Sequence, residues 1–197
     1  MKKLFIAFAM VCSAKAVFTQ PGYQDSLQKF FTSYVNNHEV VTAENRKFIQ
    51  FFSPDPAYRV VARFEKAKNS SWFQMETLGR EKKLYRVYGT LSFVLQTQPV
   101  TLNLYQSQTL LEDPELKDYL LLPFTDETSG KETYHGGRYL DFTINDVKKN
   151  TVVIDFNKAY NPYCAYEEDK YNCPIPPKEN HIPIALKAGE KNFVRKQ

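Results

Sequence analysis

Arg138 is the residue whose place in this 197-residue chain most constrains its chemistry. It opens the run Arg138-Tyr139-Leu140-Asp141-Phe142-Thr143-Ile144. Side chains of a strand alternate between faces, so Arg138 shares an inward row with Leu140, Phe142 and Ile144. A guanidinium on an apolar row needs an anionic or carbonyl partner, because an unpaired buried charge is costly. Two kinds of partner are open. One is internal, an ion pair with Asp126, Glu132 or Glu179. The other is a ligand carboxylate, phosphate or sulfate gripped by the guanidinium fork. Gly136 and Gly137 would let backbone N–H groups approach the same anion. Asp126, Tyr134, Asp155 and Asn157 are the polar groups expected to orient such a ligand. Asp155 and Asn157 fall opposite Ile154 and Phe156, on the surface or under a covering loop.

The other reactive types give less. Glu132-x-x-His135 has the spacing of a helical metal pair. Gly130, Gly136 and Gly137 around it make a helix improbable, so a polar turn is expected. His38, His135 and His181 show no ligand spacing, and no C-x-x-C occurs, so neither a metal nor a cofactor is expected. The chain has no G-x-S-x-G, Walker-type loop or H-E-x-x-H. Asp126, Glu132, Asp155 or Glu179 would serve as acid or base only if burial raised a carboxyl toward neutrality. Tyr134, Tyr139, Tyr160, Tyr163, Tyr166 and Tyr171 cluster in the same stretch, where they can seal loops or line a pocket.

The elements that must position these groups are mostly strands. Leu27, Phe30, Phe31, Tyr34 and Val35 make one helical face over Ser26–Val35, capped by Asp25 or Ser26. A second helix is predicted after Thr42, through Phe48, Phe51 and Phe52, and ending at Ser53-Pro54-Asp55-Pro56. From Tyr58 the period changes to two. Tyr58, Val60, Ala62 and Phe64 alternate with polar residues, as do Phe73 and Met75. Val87, Gly89, Leu91, Phe93 and Leu95 form the inner row of a long strand. Thr97-Gln98-Pro99 turns the chain into Val100, Leu102 and Leu104. Further strands fit Arg138–Ile144, Thr151–Asn157 and Ile182–Lys187. The fold class is mainly β: an antiparallel meander forming a curved sheet, sandwich or barrel, with two N-terminal α-helices.

The N-terminus changes how the composition reads. Lys2 and Lys3, the apolar run Leu4–Ala14, then Ala14-Lys15-Ala16 describe a secretory signal peptide over residues 1–16. The run is too short to span a membrane, and no longer apolar run follows, so no transmembrane segment is expected. The formal net charge is +4. Cleavage after Ala16 would remove three lysines and leave 23 basic against 22 acidic side chains. A charge so near zero argues against nucleic acid as a partner. Cleavage would also remove Cys12. Cys164 and Cys173 then remain, and in an oxidising compartment a disulfide is the default.

Residues 17–197 read as one domain, with its unusual residues gathered in 123–191. Four patterns stand out there: F-x-D-x-T-S-G-x-x-T-Y followed by G-G-R-Y-L; D-F-N-x-A-Y-N-P-x-C-A-Y; C-P-x-P-P-x-E-N; and Ala188-Gly189-Glu190-Lys191. Together they resemble the bacterial domain-of-unknown-function family 1684, over roughly Phe48 to Lys191. His135 stands where such proteins usually have a small residue before Gly-Gly-Arg. The resemblance implies no particular activity. Three readings follow from the residues. The first is an exported, periplasmic or extracellular protein binding a small anionic or polyhydroxylated ligand at the Arg- and Tyr-rich site. The second is a hydrolase using carboxylates at the same place. The third is a structural envelope protein. A cleft with an unpaired Arg138 would mark the first, two titratable groups converging in an open cleft the second, and a fully paired Arg138 with no cleft the third.

Overall fold

The computed structural model describes residues 21–194, so the predicted signal peptide lies outside the described residues. Helix α1 runs over Pro21–Asn36. It starts before the predicted cap, with proline in the first turn, where a missing N–H costs nothing. Its predicted apolar face is the packed one: Leu27 and Phe31 are buried, while Phe30, Tyr34 and Val35 are half-buried.

The second predicted N-terminal helix is absent from its place. Only a 3₁₀ turn forms there, at Arg46–Phe48. The chain then goes extended. Phe52 N–H donates to Gly189 O, Lys191 N–H donates to Gln50 O, and Phe51 bridges Glu190. Eleven residues are too few for a helix to persist without strong packing. Pairing with the C-terminal segment offers the backbone partners instead.

The strands are β1 (Arg59–Lys66), β2 (Phe73–Met75), β3 (Lys83–Leu95) and β4 (Gln98–Ser107). A short helix α2 (Gln108–Leu111) leads to β5 (Tyr119–Asp126), β6 (Arg138–Thr143), β7 (Thr151–Asp155) and β8 (His181–Ile182). They form one sheet in the order β6-β5-β4-β3-β1-β7, with β2 on β3 and β8 on β5. All pairings are antiparallel except β5 with β8. The sheet curls into a half-barrel. Tyr139 of β6 and Tyr160, just past β7, exchange backbone hydrogen bonds of 2.9 and 3.1 Å, which draws the two outer strands together.

The concave side holds the main core, built from Ala62, Leu91, Leu102, Leu104, Leu120, Leu122, Phe124, Ile154 and Phe156 among others. A smaller cluster lies on the opposite face: Met75, Tyr85, Tyr105, Leu121 and Tyr139. Strand β5 is therefore covered on both sides. Its sequence, Tyr-Leu-Leu-Leu-Pro-Phe-Thr-Asp, shows a continuous apolar run rather than alternation, as doubly buried strands do.

Two further details correct the pattern. The hairpin between β3 and β4 turns at Gln96-Thr97, both with positive φ (46° and 71°), as a two-residue primed turn requires. Gln98 and Pro99 already belong to β4. A bulge between Val87 and Gly89 shifts the register, so Val87 packs with the outer cluster while Tyr88 joins the core.

Candidate functional site

Strand alternation puts Arg138 inward with Leu140 and Phe142, and its residue exposure is 1%. Both terminal nitrogens meet protein acceptors, while the buried Nε has no hydrogen-bond partner. Nη2 donates to Asp126 Oδ2 at 2.9 Å and to Leu186 O at 3.0 Å. Nη1 donates to Ala188 O and to Glu190 O. Asp126 is equally occupied: Oδ1 accepts from Thr128 N, Thr128 Oγ1 and Leu186 N. Of the three carboxylates weighed as internal partners, Asp126 is the one used. Glu132 pairs with Lys187 instead. Burial pulls the guanidinium below its usual range, while the Asp126 charge holds it up.

The glycines near Arg138 serve the turn. Gly137 sits at φ +83°, and a Cβ there would lie 2.5 Å from Phe124 O. Its N–H donates to Tyr134 O. Tyr134 is buried, and its ring occupies the space beside Gly136. The stretch Glu132–His135 is a turn. Among the described residues no three His, Cys, Asp or Glu side chains gather as metal ligands.

Asp155 is covered by helix α1, and Asn157 by both α1 and the loop at Asp55. Tyr23 Oη donates to both Asp155 oxygens, at 2.9 and 3.0 Å. Asn157 Nδ2 donates to Tyr23 Oη and to Asp55 O. Asn180, fully buried, spans β4 and β5. Its side chain accepts from Asn103 N and donates to Asn103 O and Pro123 O. It supplies bonds where Pro123 has no N–H to give.

The open concavity is elsewhere, on the outer face of β5 and β6. It is a cleft of about 980 Å³ walled by α1, β5, β6, the segment after β7 and the Cys164–Cys173 loop. That size is at the upper end for small-molecule sites. Tyr119, Leu121, Tyr139 and Asp141 line its sheet wall, and Tyr160, Tyr163 and Tyr171 face them from the loops. Asp155 lines it too; Arg138, Asp126, Gly136, Gly137, Tyr134 and Asn157 do not.

At the centre of this cleft stands Asp141, on the β6 row opposite Arg138. Its Oδ1 accepts from Tyr119 Oη and Tyr160 Oη, both at 2.6 Å. Its Oδ2 has no protein partner among the described residues. Asp141 is exposed through the cleft, while the packed walls around it take water from the carboxylate. That loss of water raises its pKa above the usual carboxylate range, and the two phenol hydrogen bonds pull it back. Burial, with neighbouring charge, keeps both phenols protonated and therefore donating. Of the six tyrosines the sequence grouped as sealing loops or lining a pocket, Tyr139, Tyr160, Tyr163 and Tyr171 line this cleft and Tyr134 and Tyr166 do not, and the sequence passed over Asp141 and Tyr119. Asp141 alternates with apolar residues and so looks like an ordinary solvent-facing position. Tyr119 begins the strand whose alternation is masked.

The loop wall is fixed covalently and by bonds. Cys164 and Cys173 form a disulfide. Tyr139 Oη donates to Pro174 O, and Tyr163 Oη donates to Glu39 Oε2 at 2.8 Å. Behind it lies Glu190, wholly buried, which the sequence also missed as a site group. It accepts from Tyr166 Oη (2.6 Å), Tyr34 Oη (3.1 Å) and Asn161 N (2.9 Å). Burial outweighs those donors and lifts its pKa to about 7. Gly189 beside it sits at φ +77°, and a Cβ there would meet Ala159 O at 2.6 Å. Only glycine lets the C-terminal segment lie this close to the β7 exit.

No helix among the described residues is long and apolar enough to cross a membrane. No curated protein matches the chain. The fold is similar to the solution NMR structure of an uncharacterized protein of Haloarcula marismortui. The two are 29% identical, with a TM-score of 0.65, over 87% of this chain and 95% of that one. The profile of a family described as "Protein of unknown function (DUF1684)" matches residues 45–191. The chain belongs to that family.

Proposed function

We propose that the protein is an exported binding module for a small polyhydroxylated ligand, held in the cleft over Asp141. The observation that carries this reading is the Asp141 clamp. Two tyrosine hydroxyls fix one carboxylate oxygen and leave the other facing an aromatic-walled cleft. A fixed acceptor between flat apolar faces suits a sugar, whose hydroxyls donate and whose C–H faces stack. The clamp orients Asp141 before any ligand arrives, which lowers the ordering cost of binding. Arg138 anchors the scaffold under this reading, since its guanidinium is engaged with Asp126 and three carbonyls. Export is supported by the charged, apolar and A-x-A sequence of residues 1–16 and by the disulfide, which suits an oxidising compartment.

A hydrolase is the second reading. Its specific support is the raised Asp141 carboxyl, which would hold a proton for donation at higher pH than a free aspartate. It would need a second reactive group against the same substrate, and none shares the Asp141 hydrogen-bond cluster.

Calorimetric titration with a panel of neutral and acidic oligosaccharides tests the binding reading. Asp141→Asn keeps an oxygen for both tyrosines but removes the charge. A hydrogen bond to a charged group contributes about 1.5–3 kcal/mol. Affinity for any saccharide that binds should therefore fall about 10- to 100-fold. Binding that Asp141→Asn leaves unchanged, or no binding across the panel, refutes the proposal.

A further inference from the structure

We infer that the saccharide bound over Asp141 is an acidic one, its anionic groups taken by Lys158 and Arg59. This rests on the binding reading above and names the ligand class for that site.

Both cations line the same cleft as Asp141. Neither lies within ion-pair distance of a carboxylate among the described residues. Each is instead laid over an aromatic ring of α1: Arg59 over Tyr23 at 5.6 Å, and Lys158 over Phe30 at 5.5 Å. Such contacts hold a cation in place without neutralising it. The nearest candidate to neutralise Arg59 is Asp155, its cross-strand partner. That carboxylate keeps its charge beside Arg59, but its oxygens are turned to neutral donors rather than to a direct ion pair. Tyr23 Oη donates to both its oxygens, and the Asn157 backbone and side chain both donate to Oδ1. Tyr23 thus serves both groups, with its hydroxyl on Asp155 and its ring under Arg59.

The spacing to Asp141 follows from the backbone. Ala159 is extended, at φ −61° and ψ 136°, and wholly buried. Lys158 and Tyr160 flank it and both line the cleft. Residues i and i+2 of an extended chain lie roughly 7 Å apart. Tyr160 Oη touches Asp141 Oδ1 at 2.6 Å. Asp141 and Lys158 are therefore within reach of one short oligosaccharide, and Arg59 lines the same cleft. A neutral sugar would leave the cations unused. A simple anion would meet the Asp141 carboxylate without a hydroxyl to offer it. A sugar bearing a carboxylate, sulfate or phosphate uses both the carboxylate and the cations.

The test pair is tetragalacturonic acid and its methyl ester, which share linkage and ring hydroxyls and differ in charge. Each is titrated into the full-length mature chain by calorimetry at 20 and 300 mM salt. The acid should bind at least fivefold more tightly than the ester at low salt. High salt should erode that advantage, because exposed charge pairs are screened. Arg59→Gln with Lys158→Gln should remove the advantage, and an unchanged thermal melt shows that the protein remains folded. Equal binding of acid and ester, sensitive to Asp141→Asn, overturns the acidic-ligand inference and leaves the sugar-binding reading standing. An acid advantage that survives the double variant overturns the assignment to Arg59 and Lys158. Failure of both probes, together with failure of the neutral panel, overturns the binding reading and this inference with it.

Discussion

Replacing Arg138 with methionine should cost the fold rather than the cleft. The side chain is wholly buried and forms an ion pair with Asp126 at 2.9 Å. Removing one member of a buried pair costs about 3–5 kcal/mol, because the other charge is left uncompensated. Asp126 keeps three donors on Oδ1, which softens the loss. The carbonyls of Leu186, Ala188 and Glu190 lose theirs, which deepens it. We take about 4 kcal/mol as the net effect. For a protein of this size each kcal/mol moves Tm by about 2–4 °C, so the melt should fall by about 8–16 °C. Urea unfolding followed by far-UV circular dichroism gives the free energy directly. The double variant Arg138→Met, Asp126→Leu should recover at least about 1 kcal/mol relative to additive loss, because it leaves no orphaned charge. Arg138→Lys should fall between, since the ammonium keeps the charge but loses the planar fork. A loss below 1 kcal/mol in Arg138→Met, with no coupling to Asp126, refutes the scaffold role.

Two further predictions follow from the buried groups. Glu190 has a folded pKa near 7, above its unfolded value, so folding is favoured while the carboxyl is protonated. That contribution is complete below about pH 4.5 and is lost as pH rises to about 7, by up to ~3 kcal/mol. Glu190→Gln should abolish this slope, so the stability difference between variant and wild type should shift in the variant's favour across that window. A parallel pair of profiles contradicts the assignment. Taking the difference matters because His38, whose pKa burial lowers, contributes the opposite sign: its stability is present at high pH and is lost as pH falls below about 6.5. Reducing the Cys164–Cys173 bridge, or replacing both residues with serine, should cost on the order of 2–3 kcal/mol in the chain-entropy model. Peptide mapping without reductant should find the two linked; two free thiols contradict the bridge.

The scaffold was legible in the sequence wherever one face of an element is buried. The apolar rows of α1, β1, β4 and β6 fall where the alternation places them, and Arg138 lies inward for that reason. Legibility failed where two faces are covered, as in β5, or where a bulge slips the register, as at Val87. It also failed where pairing with a distant segment outcompetes local preference: Phe51 and Phe52 take strand-like bonds from Gly189 to Lys191 rather than a helical turn. For the cleft, the sequence pointed to one stretch that lines it and to several of its tyrosines, while Tyr119, Arg59 and α1 lie outside that stretch. It drew attention to Arg138, whose charge turns out to be met internally. Asp141 was hidden because a polar residue on an outward row carries no signal by itself. Its meaning comes from Tyr119, twenty-two positions away, and from Tyr160, which reaches it only because the sheet curls.

The central claim is that Asp141, clamped by Tyr119 and Tyr160, is the floor of a saccharide site. Chemical-shift mapping of the ¹⁵N-labelled mature protein against the tightest-binding oligosaccharide of the panel tests it most directly. The account predicts perturbations concentrated at Tyr119–Leu121, Tyr139–Phe142 and Lys158–Tyr163, and their loss in Asp141→Asn with the rest of the spectrum intact. Perturbations centred on Arg138, Gly136 and Gly137, or a map that Asp141→Asn leaves unchanged, would contradict it.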